Sequence, residues 1–243
     1  MTQVTAQMSV SLDGFYTGPR DPRGEQDMRG WMRGPEAPGF FRVTRWAVDA
    51  TAWRERQGFA GGEQSVDSEI IAETFAAAGA YVMGRRMFDA GEVPWGDEPP
   101  FRAPVFVVTH RPREVLERRG GTSFTFVTEG PERAVELARA AAGGKDVAVA
   151  GGGELLGRVL AAGLLDRLEL HVAPVLLGEG QRLFGGLGLG ADEGVELVPI
   201  GSSGRPRSPT SAIPSRDGRS WCWTIAAPVA TWSGRPGTER SAP

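Results

Sequence analysis

The sequence predicts an α/β fold in which a largely parallel sheet is covered by helices on both faces. Short apolar runs typical of buried strands alternate with helical segments of about ten residues. That order favours parallel strands joined by crossover helices. The chain has 243 residues, which suit one large α/β domain or two small ones with a substantial core.

The first part of the chain predicts a strand, a long loop and a cover. Residues 3–10 alternate in polarity and are rich in residues that favour strands. From Gly14 to about Gly39 the chain is polar and rich in glycine and proline, and loops of that length are usually lids or binding loops. Residues 40–57 combine aromatic and polar residues with mixed spacing, which predicts a helix or an irregular cover.

A helix and a buried strand follow. Asp67 or Ser68 is the predicted N-cap of a helix that runs through Ala78, and Gly79 is its predicted end. The apolar run over residues 80–83 predicts a short buried strand.

The second half predicts strands and helices in regular alternation. The predicted strands cover residues 104–109, 123–127, 146–150 and 167–177; residues 131–142 are predicted as a helix and residues 151–162 as a turn followed by a helix. Pro131 stands at a first helical position, where its missing N–H costs nothing, and Pro174 marks a bulge or an edge of the last strand.

Composition and charge argue against several classes of function. A net charge of −3 gives no reason to expect a nucleic acid or an anionic membrane surface as a partner. No run approaches the roughly 20 apolar residues of a membrane span, and the first residues lack the features of a signal peptide. Cys222 is the only cysteine, and His110 and His171 are the only histidines, so we expect no disulfide and no metal site. We interpret His171 as a packing residue, and the whole pattern predicts a cytoplasmic protein.

The segment Met83–Phe88 predicts an anion site at the start of a helix. Gly84 follows a strand and permits close approach to backbone N–H groups, which favour an anion at a helix N-terminus. Arg85 and Arg86 add direct charge for a phosphate. A turn with two solvated arginines is the alternative interpretation.

Three consecutive glycines lie at a predicted strand-to-helix turn, in the run Gly151–Leu155. They leave no side chain between the backbone amides and a pyrophosphate. The spacing departs from the dinucleotide fingerprint G-x-G-x-x-G, because Leu156 stands where the last glycine belongs. We interpret the run as a phosphate site rather than a plain turn, since three glycines cost backbone entropy.

Two further polar segments follow predicted strands. Thr109, His110 and Arg111 combine a hydroxyl, an imidazole and a guanidinium, which together can hold a phosphomonoester. The segment Ser9–Gly18 carries a carboxylate and a phenol from a strand into the long loop. An Asx turn at Asp13–Gly14 is the alternative explanation there.

Together and in this order, these segments resemble the dihydrofolate reductase-like superfamily, most closely the C-terminal reductase domain of the riboflavin-biosynthesis deaminase/reductase and its free-standing relatives. The segments that carry the resemblance are Ser11–Gly14, Val82–Phe88, Pro104–Thr109, Val149–Glu154, Ala173–Gly180 and Leu183–Phe184. The resemblance covers roughly residues 3–200. It implies a three-layer α/β/α sandwich around a mixed, mainly parallel sheet, and an NADPH-dependent oxidoreductase.

The resemblance also implies which residues hold NADPH. The implied cofactor-binding residues are Tyr16, Thr17, Gly84, Arg85, Arg86, Met87, Thr109, His110, Arg111, Gly151, Gly152, Gly153, Glu154 and Leu155. The turn at Gly84 would contact phosphates, Thr109 and its neighbours the adenosine 2′-phosphate, and the glycine turn the pyrophosphate and the nicotinamide. Tyr16 and Thr17 would lie on the loop that closes over the nicotinamide. Relatives often have threonine where Met87 stands, so only the backbone contact is implied there.

None of these segments identifies the catalytic group. Asp13 and Asp49 are the two candidates, because a carboxylate can orient a heterocycle or relay a proton, and its pKa rises in an apolar pocket. Asp49 lies in sequence beside Trp46 and Trp53. A solvated helix face is the alternative interpretation for it.

We therefore expect hydride transfer from NADPH to a C=N or C=O bond of a small polar heterocycle, pterin or pyrimidine-like, or a related substrate. Two alternatives stay open. One is the 5-amino-6-(5-phosphoribosylamino)uracil reductase of riboflavin biosynthesis, and the other is a non-catalytic NADPH-binding module. The zinc deaminase signature H-x-E with P-C-x-x-C is absent, so we expect no deaminase domain.

Two further expectations concern fold and assembly. A Rossmann dehydrogenase is a weaker alternative, because it needs an acidic residue at a strand end about 20 residues after the glycines, and Glu169 lies within its strand. The apolar strand Leu168–Leu177 indicates a sheet that pairs or packs across a homodimer, as in relatives.

The end of the chain differs in character from the rest. We place the reductase domain at residues 1–203, because after about Gly201 glycine, proline, serine and arginine dominate and periodicity vanishes. We expect residues 204–243 to lack stable packing, Trp221 and Trp223 included, and the sheet to lack its last strand. A genuine tail and a tail translated out of frame are both open.

The out-of-frame interpretation depends on Arg205–Ile213. Relatives have a last strand much like Ser-Pro-Ala-Val-Thr-His-Leu-Arg-Tyr. If arginine is written CGN and serine TCN, the codons of this segment, read one nucleotide earlier, can encode that strand in order.

Overall fold

The computed structural model describes residues 2–18, 39–185, 197–206 and 219–226. Its helices are α1 (Gly39–Val48), α2 (Thr51–Arg56), α3 (Val66–Ala77), α4 (Arg85–Trp95), α5 (Pro131–Ala141) and α6 (Gly153–Ala161). Its strands are β1 (Val4–Ser11), β2 (Phe15–Thr17), β3 (Ala78–Gly84), β4 (Pro104–Val108), β5 (Leu116–Glu117), β6 (Ser123–Val127), β7 (Asp146–Gly151), β8 (Arg167–Ala173), β9 (Gln181–Arg182), β10 (Val198–Pro206) and β11 (Arg219–Ala226). A short 3-10 turn covers Arg119–Gly121.

Nine of these strands form one mixed, mainly parallel sheet in the order β10-β11-β8-β1-β7-β3-β4-β6-β5. The pairs from β8 through β1, β7, β3 and β4 to β6 are parallel. The pairs β10–β11, β11–β8 and β5–β6 are antiparallel. The predicted sheet type is therefore confirmed.

Side chains of the central strands alternate between two cores. On one face, strand residues such as Val82 and Val149 pack with α5 and α6. On the other face, Met83 and Val107 pack around Phe88 of α4. These two cores make the three layers of an α/β/α sandwich, as the resemblance implies.

Part of the predicted long loop after Gly14 is a strand. Phe15–Thr17 pairs antiparallel with β9 in a separate two-stranded sheet. The remainder of that loop, residues 19–38, lies outside the described residues. The predicted cover over residues 40–57 consists of two helices, α1 and α2.

The predicted boundary between α3 and β3 is wrong. Ser65 is the N-cap of α3, and its hydroxyl accepts a hydrogen bond from the Ser68 N–H at 3.3 Å. Ala78 already belongs to β3, and Gly79 is a strand residue rather than a helix terminator. A Cβ at Gly79 would lie 2.0 Å from the Ala142 carbonyl oxygen. Close backbone approach therefore explains this glycine.

The strand predicted over residues 167–177 ends at Ala173, immediately before Pro174. It lies inside the sheet, between β1 and β11. Both of its edges are used within the chain, which leaves no edge of this strand for pairing across a homodimer, while packing of the sheet across a homodimer stays an expectation.

The expectation that the sheet lacks its last strand is wrong. β10 runs to Pro206, and β11 pairs with β8 from Trp221, opposite Val172, to Ala226, opposite Arg167. The position beside β8 is therefore filled by Arg219–Ala226, and β10 is the outermost strand on that side. Residues 207–218 and 227–243, where the rest of the predicted tail falls, lie outside the described residues.

Candidate functional site

The turn between β3 and α4 exposes one of its two arginines and buries most of the other. Gly84 is the N-cap of α4, and Arg85 begins the helix. The Arg85 Nε donates to Asp89 Oδ1 at 2.6 Å, and the Arg85 guanidinium lies over two phenylalanine rings. Arg86 has a side chain that is 53% exposed, and its Nη2 lies 3.4 Å from Glu154 Oε2. Arg86 is thus the more accessible charge at this turn.

The segment after β4 folds back onto α4. Thr109 is buried, and its hydroxyl oxygen accepts a hydrogen bond from the Arg111 N–H at 3.0 Å. His110 is exposed. Arg111 donates from Nη2 to Asp89 Oδ2 at 3.2 Å, while 63% of its side chain is exposed. Asp89 therefore connects two of the segments predicted to bind phosphate, the turn after Gly84 and the segment 109–111.

The three glycines after β7 have different surroundings. Gly151 has φ +126°, and its added Cβ would lie 3.3 Å from the Met87 sulfur. A Cβ at Gly153 would lie 2.7 Å from the Tyr16 ring. At Gly152, the N-cap of α6, no heavy atom lies within 4 Å of the added Cβ. Only the middle glycine faces open space.

The two residues that follow the glycines differ in exposure. Glu154 is 72% exposed and reaches Arg86, which connects the first turns of α6 and α4. Leu155 is buried in the core beneath the glycine turn. Its side chain is a packing group, so only its backbone N–H is available to a ligand at this helix end.

Tyr16 extends the site toward β2. Its hydroxyl donates to Gln181 Oε1 at 2.5 Å across the β2–β9 pair, and its ring covers Gly153. Thr17 is half-buried in the same strand, and its carbonyl oxygen would lie 1.9 Å from an added Cβ at Gly180. The segment predicted to close over the nicotinamide is thus held against the glycine turn.

Asp13 does not have the environment of a proton donor. Its carboxylate accepts hydrogen bonds from the Ser11 hydroxyl at 2.5 Å, the Gly178 N–H at 2.7 Å and the Leu177 N–H at 3.1 Å. Desolvation opposes ionisation, but these hydrogen bonds outweigh it and lower the pKa of Asp13 from 3.8 to about 2. Asp13 is ionised and holds the segment after β8 in place.

Asp49 does not lie in an apolar pocket. It follows α1 with a side chain that is 49% exposed, and Arg45 Nε lies 3.1 Å from its Oδ2. This is an i,i+4 ion pair on a solvated face, the alternative interpretation given above. Neither candidate carboxylate therefore lies in an apolar pocket: the protein's own donors bind Asp13, and Asp49 is half exposed and ion-paired.

A polar cluster lies between α1 and the strands β1 and β8. The His171 ring is buried and stacks on Trp46, with ring centroids 3.8 Å apart. The His171 Nε2 lies 2.9 Å from Glu169 Oε1, which also accepts from Gln7 Nε2 at 3.1 Å. Trp46 Nε1 donates to the Ser9 hydroxyl at 2.9 Å. These contacts agree with the interpretation of His171 as a packing residue.

The sequence reasoning missed two residues of this site. Asp89 stands four residues after Arg85 on α4, a spacing that predicts an ion pair in any helix. Gln181 is the partner of the Tyr16 hydroxyl, but 165 residues separate them and no local pattern predicts the contact.

Two predicted absences concern the described residues. No group of three or more side chains there could hold a metal ion. Among the helices of the described ranges, none is long and apolar enough to cross a membrane.

A family model described as the RibD C-terminal domain matches residues 2–203. No curated protein matches the chain. The family match covers all the segments on which the resemblance was based, and it ends one residue before the predicted tail.

Three solved structures are similar to the chain. A candidate riboflavin biosynthesis protein from Shewanella sp. PV-4 has a TM-score of 0.58 and 18% identity, with 93% of this chain and 98% of that chain covered. The diaminohydroxyphosphoribosylaminopyrimidine deaminase/5-amino-6-(5-phosphoribosylamino)uracil reductase from Thermotoga maritima has a TM-score of 0.54 and 12% identity, with 93% and 56% covered. Dihydrofolate reductase from Enterococcus faecalis, complexed with NADP(H), has a TM-score of 0.44 and 11% identity, with 92% and 95% covered. The first two share the fold of this chain.

Proposed function

The chain belongs to the RibD C-terminal domain family, and from this premise we propose that it transfers a hydride from NADPH to a small polar heterocycle, pterin or pyrimidine-like. It is an oxidoreductase with the dihydrofolate reductase-like fold. NADPH as the preferred cofactor, the residues that bind it and the identity of the substrate are our proposals.

One observation carries the proposal: three segments predicted to bind phosphate lie together at the carboxyl ends of neighbouring strands. β3, β4 and β7 are parallel, and β3 pairs with both of the others, so their carboxyl ends lie side by side. Two helices, α4 and α6, begin at those ends. Free N–H groups at two helix N-termini favour a ligand with several negative charges.

The shape of the glycine turn fits a pyrophosphate. Met87 and Tyr16 occupy the space beside Gly151 and Gly153, whereas the space at the Cβ position of Gly152 is open. A backbone that presents N–H groups without a side chain in front of them is what a pyrophosphate requires. We assign the pyrophosphate to the open side of Gly152.

Two exposed arginines supply charge around this turn. Arg86 lies beside the α4 N-terminus, and Arg111 follows β4. Arginine binds phosphate through several N–H groups in one plane. We assign the 2′-phosphate of NADPH to Arg111 and its neighbours. We propose that Arg86 binds the phosphates nearer Gly84.

NADPH, when bound, would supply the hydride, and the protein would orient the reactants and exclude water. Tyr16 covers Gly153 and is held by Gln181, so it closes one wall of the site. Asp13 is ionised and Asp49 is exposed and ion-paired. We propose that neither gives the proton, and that solvent supplies it.

The same properties keep a second candidate function open, an NADPH-binding module without turnover. Among the described residues, the site geometry favours cofactor binding more strongly than it favours proton transfer. A third candidate is the 5-amino-6-(5-phosphoribosylamino)uracil reductase activity that the Thermotoga maritima protein carries in its name.

One assay separates the three candidates. NADPH oxidation is followed against a panel of pterins, pyrimidines and quinones, together with NADPH binding by calorimetry. Turnover of one class supports the reductase and identifies its substrate. Tight binding without turnover on any compound favours the binding module, and no binding of NADPH contradicts the proposal.

We further propose that the protein works in the cytoplasm on a small-molecule substrate. We also propose that it forms a homodimer through a surface other than the edges of β8. Light scattering of the purified protein measures the oligomeric state, and a monomer at assay concentration contradicts the dimer.

A further inference from the structure

The contact between α4 and the loop after β4 contains two carboxylates and three arginines. Asp89 binds two arginines with separate oxygens: Arg85 at 2.6 Å on Oδ1 and Arg111 at 3.2 Å on Oδ2. Glu92 uses both oxygens on one arginine, Arg113, at 2.7 and 3.0 Å. The two carboxylates of this helix thus bind arginine differently: Asp89 holds two guanidinium groups, and Glu92 binds one through both of its oxygens.

We infer that Asp89 is a positioning residue that holds Arg85 and Arg111 at the carboxyl ends of β3 and β4, and thereby determines the preference for NADPH over NADH. The inference rests on the proposed function. Asp89 is 7% exposed and cannot itself contact the solvent side of the site, so it acts through Arg111, whose side chain is 63% exposed.

The geometry lets Asp89 restrict the orientation of the Arg111 guanidinium. A buried carboxylate with an arginine on each oxygen has little freedom to turn, so it fixes one N–H group of Arg111. The guanidinium has further N–H donors, and 63% of the Arg111 side chain is exposed. An arginine that is ordered before binding loses less rotamer entropy when it meets a phosphate, which strengthens binding without a new contact.

The local charge also favours an extra anion. Arg85 and Arg111 carry two positive charges and Asp89 carries one negative charge, so the group keeps one positive charge. NADH has a hydroxyl where NADPH has the 2′-phosphate, and only the phosphate can use this charge. A pre-ordered, net positive group therefore discriminates between the two cofactors.

Glu92 and Arg113 provide the matched comparison. Arg118 Nη2 also lies 4.0 Å from Glu92 Oε1, and the Arg113 guanidinium lies 5.4 Å from the ring centroids of both Phe88 and Phe126. This group secures the loop to α4, and its two arginine side chains are only 37% and 25% exposed, so they are less accessible to a ligand than Arg111. Removing its carboxylate changes stability but not cofactor preference.

The experiment measures dissociation constants for NADPH and NADH by calorimetry in the wild type, Asp89→Asn and Glu92→Gln, with melting temperatures as the fold control. Asp89→Asn is expected to weaken NADPH binding about tenfold and to leave NADH binding within about twofold, the size of one charge-assisted hydrogen bond. Glu92→Gln is expected to keep the preference of the wild type.

Arg111→Ala gives a second test that does not depend on the fold of Asp89→Asn. Because Asp89 acts through Arg111, this exposed substitution should also weaken NADPH selectively. Adding Asp89→Asn to it should change the preference by less than about twofold, since the two sites are coupled.

Each result bears on one statement only. A wild type that binds neither cofactor overturns the proposed function. A wild type that prefers NADPH, with Asp89→Asn or Arg111→Ala keeping the full preference, overturns the role of Asp89 and leaves the proposed function standing. An equal loss of preference in Glu92→Gln also overturns it, because that pattern indicates a general effect on α4.

Discussion

The turns after β3, β4 and β7 and the region around β1 and α1 use their charged groups differently. At the three turns, Arg86 and Arg111 are more than half exposed, and each meets one carboxylate through a single contact. Around β1, Asp13 accepts hydrogen bonds from one hydroxyl and two backbone N–H groups of the protein itself, and Asp49 is paired with Arg45. The arginines of the first region have donors available to a ligand, whereas the carboxylates of the second region bind other groups of the protein.

This difference indicates how the work of the protein is divided. The proposed cofactor binding at the three turns would depend on where strands end and helices begin, which the whole fold determines. Substrate chemistry near β1 would depend on individual side chains, and the two carboxylates there have other partners. A family built this way can keep its cofactor site while its substrate site changes.

The largest effect is expected at the glycine turn. Gly152→Val places a branched side chain where the pyrophosphate is assigned, so NADPH binding should be abolished. The loss of stability should be modest, since no heavy atom lies within 4 Å of the added Cβ. Calorimetry and the melting temperature measure both. Gly153→Ala is the contrast, because its Cβ would displace the Tyr16 ring and destabilise the β2 wall. Normal NADPH binding by Gly152→Val would make the run a plain turn.

A smaller effect is expected at Arg111. Removing one charged contact to the 2′-phosphate in Arg111→Ala should raise the KM for NADPH about 10- to 100-fold and leave the KM for NADH nearly unchanged. Arg139→Ala is the control, because Arg139 is also exposed and ion-paired, but its partner is Asp166, which precedes β8 and accepts a hydrogen bond from the Val4 N–H. Equal KM values for NADPH and NADH in the wild type would remove the basis for this assignment.

The region around β1 should respond in stability rather than in cofactor affinity. Asp13→Asn removes the charge that three donors stabilise, at an expected cost of about 1–3 kcal/mol. Asp49→Asn, on a solvated ion pair, should cost less than about 0.5 kcal/mol. Chemical unfolding of both variants measures the difference. Equal stabilities would mean that the hydrogen bonds of Asp13 contribute nothing.

Acid unfolding tests the same point through pH. The pKa of Asp13 is lowered to about 2 from 3.8, so its contribution is fully present above pH 3.8 and is lost as the pH falls through about 2. In Asp13→Asn, this part of the acid sensitivity should be missing. An unchanged pH profile between those values would contradict the ionised state of Asp13.

Local patterns predicted the three turns because each one lies within a few residues of sequence. The strand before Gly84, the arginines after it and the glycine run are all readable from neighbours, and so is the pair Arg85–Asp89. The role of Asp13 was not readable, since its partners Leu177 and Gly178 are 164 and 165 residues away. Sequence patterns identify elements, while contacts between distant loops need the fold.

The tail shows the same limit in another form. The loss of periodicity after Gly201 led to the expectation of a missing last strand, yet Arg219–Ala226 pairs with β8. Burial of one sheet edge outweighs weak local propensity, because an unpaired edge leaves backbone groups without partners.

The reading frame of residues 204–243 stays a proposal, and the family match that ends at residue 203 supports it. Sequencing the gene tests it. The proposal predicts codons after Gly204 that regenerate the last strand of relatives when read one nucleotide earlier. Codons that cannot do so would show that the printed tail is the native one.

The central claim is that the turns after β3, β4 and β7 form one NADPH site. Amide hydrogen exchange of the wild type, with and without NADPH, tests it most directly because each backbone N–H reports its own protection. The claim predicts protection concentrated at residues 84–87, 109–111 and 151–155, with little change around Asp49. Protection confined to one turn, or located around Asp49 instead, would contradict it.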